Sequence, residues 1–229
     1  MENYIKHSVD RSLRERKEWL IANKIPVLII NKLPSHVNME SIIHELEENI
    51  PDHMLDTIEG IYIGDFKELK ERNIQAMFKD GIIYLSSFEG VSEVSEEVII
   101  RDITHELAHA LEDKYASEIY PDQSIEKEYE GKKKKLISLL RHQGYIAPEK
   151  LFLSDEYVDE LDQYLYKEIG YDKLSLIIPG LFTSPYSVTS IREYFANGVE
   201  EYLLGDYEHL KDISPVLYRK INSLLEKSF

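Results

Sequence analysis

Between Ser95 and Leu111 the chain is committed to a helix whose two faces differ in chemistry. Ser95 is a capping residue, and Glu96 and Glu97 fall in the positive first turn. Val98, Ile99, Ile103, Leu107, Ala110 and Leu111 follow as an apolar face at helical spacing, which must be buried against another element. Inside this stretch stands His105-Glu106-Leu107-Ala108-His109. Histidines at i and i+4 project from one helix face, the spacing at which two imidazoles reach one ion at roughly 2.0–2.1 Å. Glu106 adjoins the first of them, placed to touch a water on the metal without binding the metal itself. The pattern points to zinc, with Glu106 as general base.

A catalytic zinc takes three protein ligands and keeps one position open for water. One zincin class draws its third ligand from a histidine six residues after the second, with a glycine between, but here those positions hold Tyr115 and Glu112. A glutamate from a later helix remains. Ser190-Ile-Arg-Glu193-Tyr-Phe-Ala-Asn197 opens a helix with a suitable carboxylate, and Glu200 and Glu201 are rivals on spacing alone. Asp113, one turn beyond His109, is either a hydrogen-bond acceptor behind a metal ligand or an ordinary solvated helix residue. The other six histidines, His7, His36, His44, His53, His142 and His209, have no partner at ligand spacing.

Composition narrows the alternatives. The chain has no cysteine, which excludes disulfides, thiolate zinc sites and a cysteine nucleophile, so any metal must rest on histidine and carboxylate. A formal charge of −16 repels phosphate backbones and argues against nucleic acid. The basic run Lys132 to Lys135 lies in a helical stretch flanked by acids and is expected to be a solvated helix face. No apolar run approaches the roughly 20 residues of a membrane span, and a soluble protein is expected. The charged amino terminus lacks a secretory pattern, so the expectation is an intracellular protein or one numbered after a signal was removed.

No linker or repeat divides the 229 residues, and one domain is expected. The first twenty residues have the pattern of a polar helix and PVLIIN (26 to 31) that of a buried strand. A helix capped by Asn38 should run through Glu48, with Ile42, Ile43 and Leu46 inward. TIEGIYIG (57 to 64), a short helix near Phe66 to Arg72, and strands at 74 to 78 and 82 to 86 joined through Lys79-Asp80-Gly81 complete a mixed half, residues 1 to 94. The strand from Ile82 to Ser87 is either the sheet edge on which an extended substrate pairs or an internal strand. Helices are expected at 124 to 142, 155 to 169, 188 to 204 and 215 to 227, making residues 95 to 229 helical.

His105-Glu-Leu-Ala-His109-Ala-Leu-Glu-Asp113, with Tyr186 and then Glu193-Tyr-Phe-Ala, resembles the catalytic domain of anthrax lethal factor and the related bacterial Pro-Pro endopeptidases. Lys167-Glu168-Ile169-Gly170 is also similar. The resemblance covers roughly residues 75 to 229, with specific motifs at 105 to 113 and 186 to 196. It implies an α+β zincin-like peptidase domain, a small twisted sheet on an active-site helix with a helical carboxyl-terminal lobe, holding one zinc. It also implies Glu193 as the third ligand and Tyr186, seven positions earlier, as the residue facing the reaction centre. Protein or peptide substrates follow, with export as the usual location of the relatives. Two departures stand out. The interval from His109 to Glu193 is longer than in the relatives, which places an insertion near 118 to 150, and Asn197 stands where they commonly carry a carboxylate that orients a histidine. The alternative to a zinc endopeptidase is a catalytically weak or inactive toxin-like binding module on the same fold.

Overall fold

The computed structural model describes residues 18–88, 94–154 and 156–226. The chain divides into two compact units, residues up to Ala110 and residues from Leu111 onward. The first carries a five-stranded mixed sheet and the second is helical, which is the α+β class expected.

In the first unit, β1 (Glu18–Ile21) and β2 (Ile25–Ile29) form an antiparallel pair, with Trp19 opposite Val27 and Ile21 opposite Ile25. The chain reverses through Ala22 and Asn23 at φ 50° and 56°. The polar helix expected over residues 1 to 20 is corrected at its last three residues, which are strand; the rest of it, with His7, lies outside the described residues. Glu18-Trp-Leu-Ile has an apolar ladder partner a tight turn away, and pairing overrides the local pattern.

Asn38 caps α1 (Met39–Asn49) by accepting from Glu40 N–H at 3.0 Å, and Ile42, Ile43 and Leu46 are buried. After the short α2 (Asp52–Leu55), β3 (Gly60–Gly64) pairs parallel with β2. Then α3 (Lys67–Arg72) leads to β4 (Ala76–Lys79) and β5 (Ile82–Ser86), which form an antiparallel hairpin. Its loop is Asp80-Gly81, both at positive φ, 50° and 80°, the two-residue geometry that matches strand twist. The sheet order is β1-β2-β3-β5-β4. Ile61, Ile63, Ile83 and Leu85 on the inner strands are fully buried. The edge reading of Ile82 to Ser87 is therefore corrected, because β5 is flanked by β3 and β4; the short, half-buried β4 is the edge on that side and β1 the edge on the other.

Helix α4 (Glu96–Ile119) begins where Ser95 Oγ accepts from Val98 N–H and loses helical geometry at Tyr115. Ile99, Ile103, Leu107, Ala110 and Leu111 are buried as the stripe requires, while Val98 is 43% exposed.

The second unit contains α5 (Ser124–His142), α6 (Glu149–Phe152), α7 (Asp159–Tyr164), α8 (Tyr171–Ile177), α9 (Ile191–Leu204), α10 (Tyr207–Ile213) and α11 (Pro215–Leu225). A π-helical turn, Leu165–Ile169, prolongs α7, and a 3-10 turn, Tyr186–Val188, precedes α9. The basic run is corrected at half its length, since Lys132 is 5% exposed and Lys133 is fully buried on the inner face of α5. Their ammonium groups find acceptors there. Lys132 Nζ donates to Ile213 O at 2.7 Å, Ser214 Oγ at 2.8 Å and Leu181 O, and Lys133 Nζ donates to Ser154 O. No described helix is long and apolar enough to cross a membrane.

Candidate metal centre

Leu107 and Ala108 are fully buried, and the residues around them, His105, Glu106 and His109, are half-buried on the remaining face of α4. The His105 and His109 rings lie 4.9 Å apart, centroid to centroid, and nearly perpendicular at 85°. Glu106 Oε2 accepts from the Phe78 N–H of edge strand β4 at 2.6 Å. In the antiparallel ladder Ser86 N–H donates to Gln75 O, so the alternation of the pairing turns the Phe78 N–H away from β5. A carboxylate from α4 takes up that outward-facing donor.

Glu193 sits in the first turn of α9. Ser190 caps the helix by accepting from Glu193 N–H at 3.2 Å, which settles where the helix begins: at Ile191, three residues after the expected start. Ligating atoms of His105, His109 and Glu193 lie within 4.8 Å of one another, and among the described residues this is the one group of three or more such side chains that can hold a metal ion. Of the glutamates left open by the sequence, Glu200 and Glu201 contribute nothing to it. Glu201 instead accepts from Asp206 N–H at 3.1 Å.

Arg192, adjacent to Glu193, is a residue that sequence reasoning passed over. Its Nε donates to Glu112 Oε2 at 3.0 Å and its Nη2 to Asp113 Oδ1 at 2.9 Å. Asp113 is thereby the outer arm of a clasp on Arg192, and Glu112, 4% exposed, is the buried arm. The Tyr120 hydroxyl donates to the other oxygen of Glu112, and burial, reinforced by Glu112, pushes the Tyr120 phenol far above its usual range. That phenol remains a donor at any ordinary pH. The sequence offered one signal for the clasp, an arginine beside the expected ligand, and no indication of its acceptors.

Tyr186 is 41% exposed and opens the 3-10 turn ahead of α9. Tyr157 and Tyr171 both donate to Asp162, and burial raises both phenols, with Tyr186 among the neighbours that add to the effect. Asn197 is 8% exposed; its oxygen accepts from the Ser184 hydroxyl at 2.7 Å, and its Nδ2 donates to Glu193 O at 2.8 Å. Neither of these bonds goes to a histidine, the partner expected of this position. His36 is engaged at Val94 O, 2.8 Å away, and His44 lies 3.6 Å from Glu48.

Comparison of the chain with family models, curated proteins and solved structures finds no match.

Proposed function

We propose that the chain is a zinc-dependent endopeptidase of the lethal-factor-like, zincin type, with zinc held by His105, His109 and Glu193. The convergence of two imidazole nitrogens and a carboxylate oxygen within 4.8 Å of one another carries this reading. Two nitrogens and one oxygen are a donor set that suits zinc and leaves a fourth position open. A chain without cysteine has no softer set to offer. The edge strand β4, hydrogen-bonded through Phe78 to the helix that bears the histidines, supports the zincin-like arrangement.

When bound, zinc supplies Lewis-acid polarisation of the scissile carbonyl and lowers the pKa of water at the site. The remaining work falls to the side chains. Glu106 takes a proton from the attacking water and passes it to the leaving nitrogen. Its Oε2 accepts from the Phe78 N–H at 2.6 Å, which holds one carboxylate oxygen and leaves Oε1 for the proton transfer. Tyr186, exposed on its short turn, donates a hydrogen bond to the oxyanion as it forms.

The test is cleavage of a diverse peptide library by the purified protein, with and without a zinc chelator. Cleavage abolished by chelator and restored by zinc is the expected result. Either an intact library or cleavage indifferent to chelation overturns the reading.

A further inference from the structure

We infer that Ser184 and Asn197 are positioning residues that join the turn bearing Tyr186 to the helix bearing Glu193, an inference that rests on the peptidase reading above. The joint is a chain of hydrogen bonds whose direction is fixed at one end. Asn197 Nδ2 lies 2.8 Å from the Glu193 carbonyl, and a carbonyl can only accept, so the amide group donates there. The Asn197 oxygen must then face Ser184, whose hydroxyl spends its one proton on it at 2.7 Å. Ser184 Oγ is left as an acceptor. It takes the Ser187 N–H at 3.3 Å, and in its 3.2 Å contact with Ser187 Oγ the proton must come from Ser187. With its own proton so used, Ser187 Oγ receives that of Thr183 at 3.3 Å. The order Thr183 to Ser187 to Ser184 to Asn197 to Glu193 O follows, with every hydroxyl proton committed.

This chain of bonds brackets Tyr186. Residues 183, 184 and 187 enclose it in sequence, and behind it Thr189 Oγ1 and Thr189 N both donate to the Tyr186 carbonyl, at 2.8 and 3.0 Å. Ser187 and Thr189 are fully buried and Asn197 nearly so, whereas Tyr186 itself is 41% exposed. The bonds at Ser187 N–H and at the Tyr186 carbonyl hold the backbone on both sides of the Tyr186 side chain, so the buried polar frame sets where that side chain starts. Asn197 is one turn along α9 from Glu193, and the frame therefore locates Tyr186 against the same helix turn that presents the carboxylate. In a buried network each member polarises the next, and loss of one leaves its neighbours unpaired. Removing the Ser184 hydroxyl orphans the Asn197 oxygen on one side and the Ser187 N–H on the other.

The experiment is a double-mutant cycle of Ser184→Ala and Tyr186→Phe on a peptide found by library cleavage, with zinc content and hydrogen exchange measured on the same proteins. Ser184→Ala is expected to lower kcat roughly tenfold, since displacement of a catalytic group by an ångström costs up to about a hundredfold. KM and zinc content should hold, and Ser184→Thr, which keeps the hydroxyl, should restore kcat. In the Tyr186→Phe background the same substitution should change kcat by less than about twofold, because the group it positions is already gone. Exchange of the backbone amides over residues 184–189 should accelerate in Ser184→Ala in every background. Equal slowing with and without the Tyr186 hydroxyl, or unchanged exchange over that turn, would overturn the inference. Absence of zinc-dependent cleavage in the unaltered protein would instead count against the peptidase reading, and the exchange result would still decide whether Ser184 holds the turn.

Discussion

In the proposed site Glu106 would serve two demands that compete for one carboxylate: lying beside a metal ligand and staying off the metal. The 2.6 Å bond from the Phe78 N–H answers this by holding one oxygen on strand β4. Glutamine in its place keeps the shape and can still accept that N–H through its carbonyl oxygen, but it cannot take up a proton. Glu106→Gln should therefore retain one zinc per chain and lose at least roughly a hundredfold in kcat, the low end of what a general base contributes. Metal analysis and steady-state kinetics on the same preparation check this. Zinc lost as readily as in a histidine variant would mean that Glu106 is a ligand and not the base. The placement of His105, Glu106 and His109 on one helix is legible in the sequence, because they are neighbours and one helix turn fixes their relation. Asn197 was legible only as a position. Its partners, Ser184 and the Glu193 carbonyl, depend on how a turn folds back on a helix, and no local rule supplies that.

Helix α9 carries Glu193, the proposed third ligand, and two features set where that helix lies in its unit. One is the clasp of Arg192 between Glu112 and Asp113 on α4, a fork that presents two N–H donors to two carboxylates. Arg192→Met should leave Glu112 buried without its cation and shift the turn that carries Glu193, lowering zinc affinity about ten- to a hundredfold, the usual effect of removing a group behind a metal ligand. Competition with a chelator of known affinity reads this directly; an unchanged affinity would show that the clasp serves only the fold. The other feature is Gly198, where an added Cβ would stand 2.5 Å from Leu217 Cδ2 and 3.2 Å from Ile221 Cδ1 of α11. Leu217 and Ile221 are fully buried and have little room to yield. Gly198→Ala gains roughly 1 kcal/mol of helix propensity but forces overpacking of about 1–3 kcal/mol. A net loss is predicted, seen as a Tm lower by a few degrees. A raised Tm would mean that α9 and α11 can move apart at no cost. Where elements begin was readable when a cap or turn is local, as at Asn38, Ser95 and Asp80-Gly81. Which strand lies at the edge was not, because edge position is a matter of pairing order: β5 lies inside the sheet only because β4 returns to cover it.

Across the molecule, the strands precede residue 95 and only helices follow it among the described residues, in keeping with the change in hydrophobic period there, whereas the division into two compact units falls later, after Ala110 inside α4. The burial of Lys132 and Lys133 is the opposite case. Two lysines in a run of four look like a solvated face, yet the carbonyls that receive Lys132 come from residues 49 and 81 positions away. Long-range acceptors of this kind turn a charge that would repel a core into one that ties segments together. The proposed metal centre has the same character: His105 and His109 are local to one another in sequence, while Glu193 lies far along the chain and no local rule names it as their partner. Zinc binding therefore tests the account most directly. Titration of zinc into metal-free protein should show one ion per chain in the unaltered protein and in Glu106→Gln, with loss of tight binding in His105→Ala, His109→Ala and Glu193→Ala alike. No zinc bound by the unaltered protein, or affinity in Glu193→Ala equal to that of the unaltered protein, would contradict it.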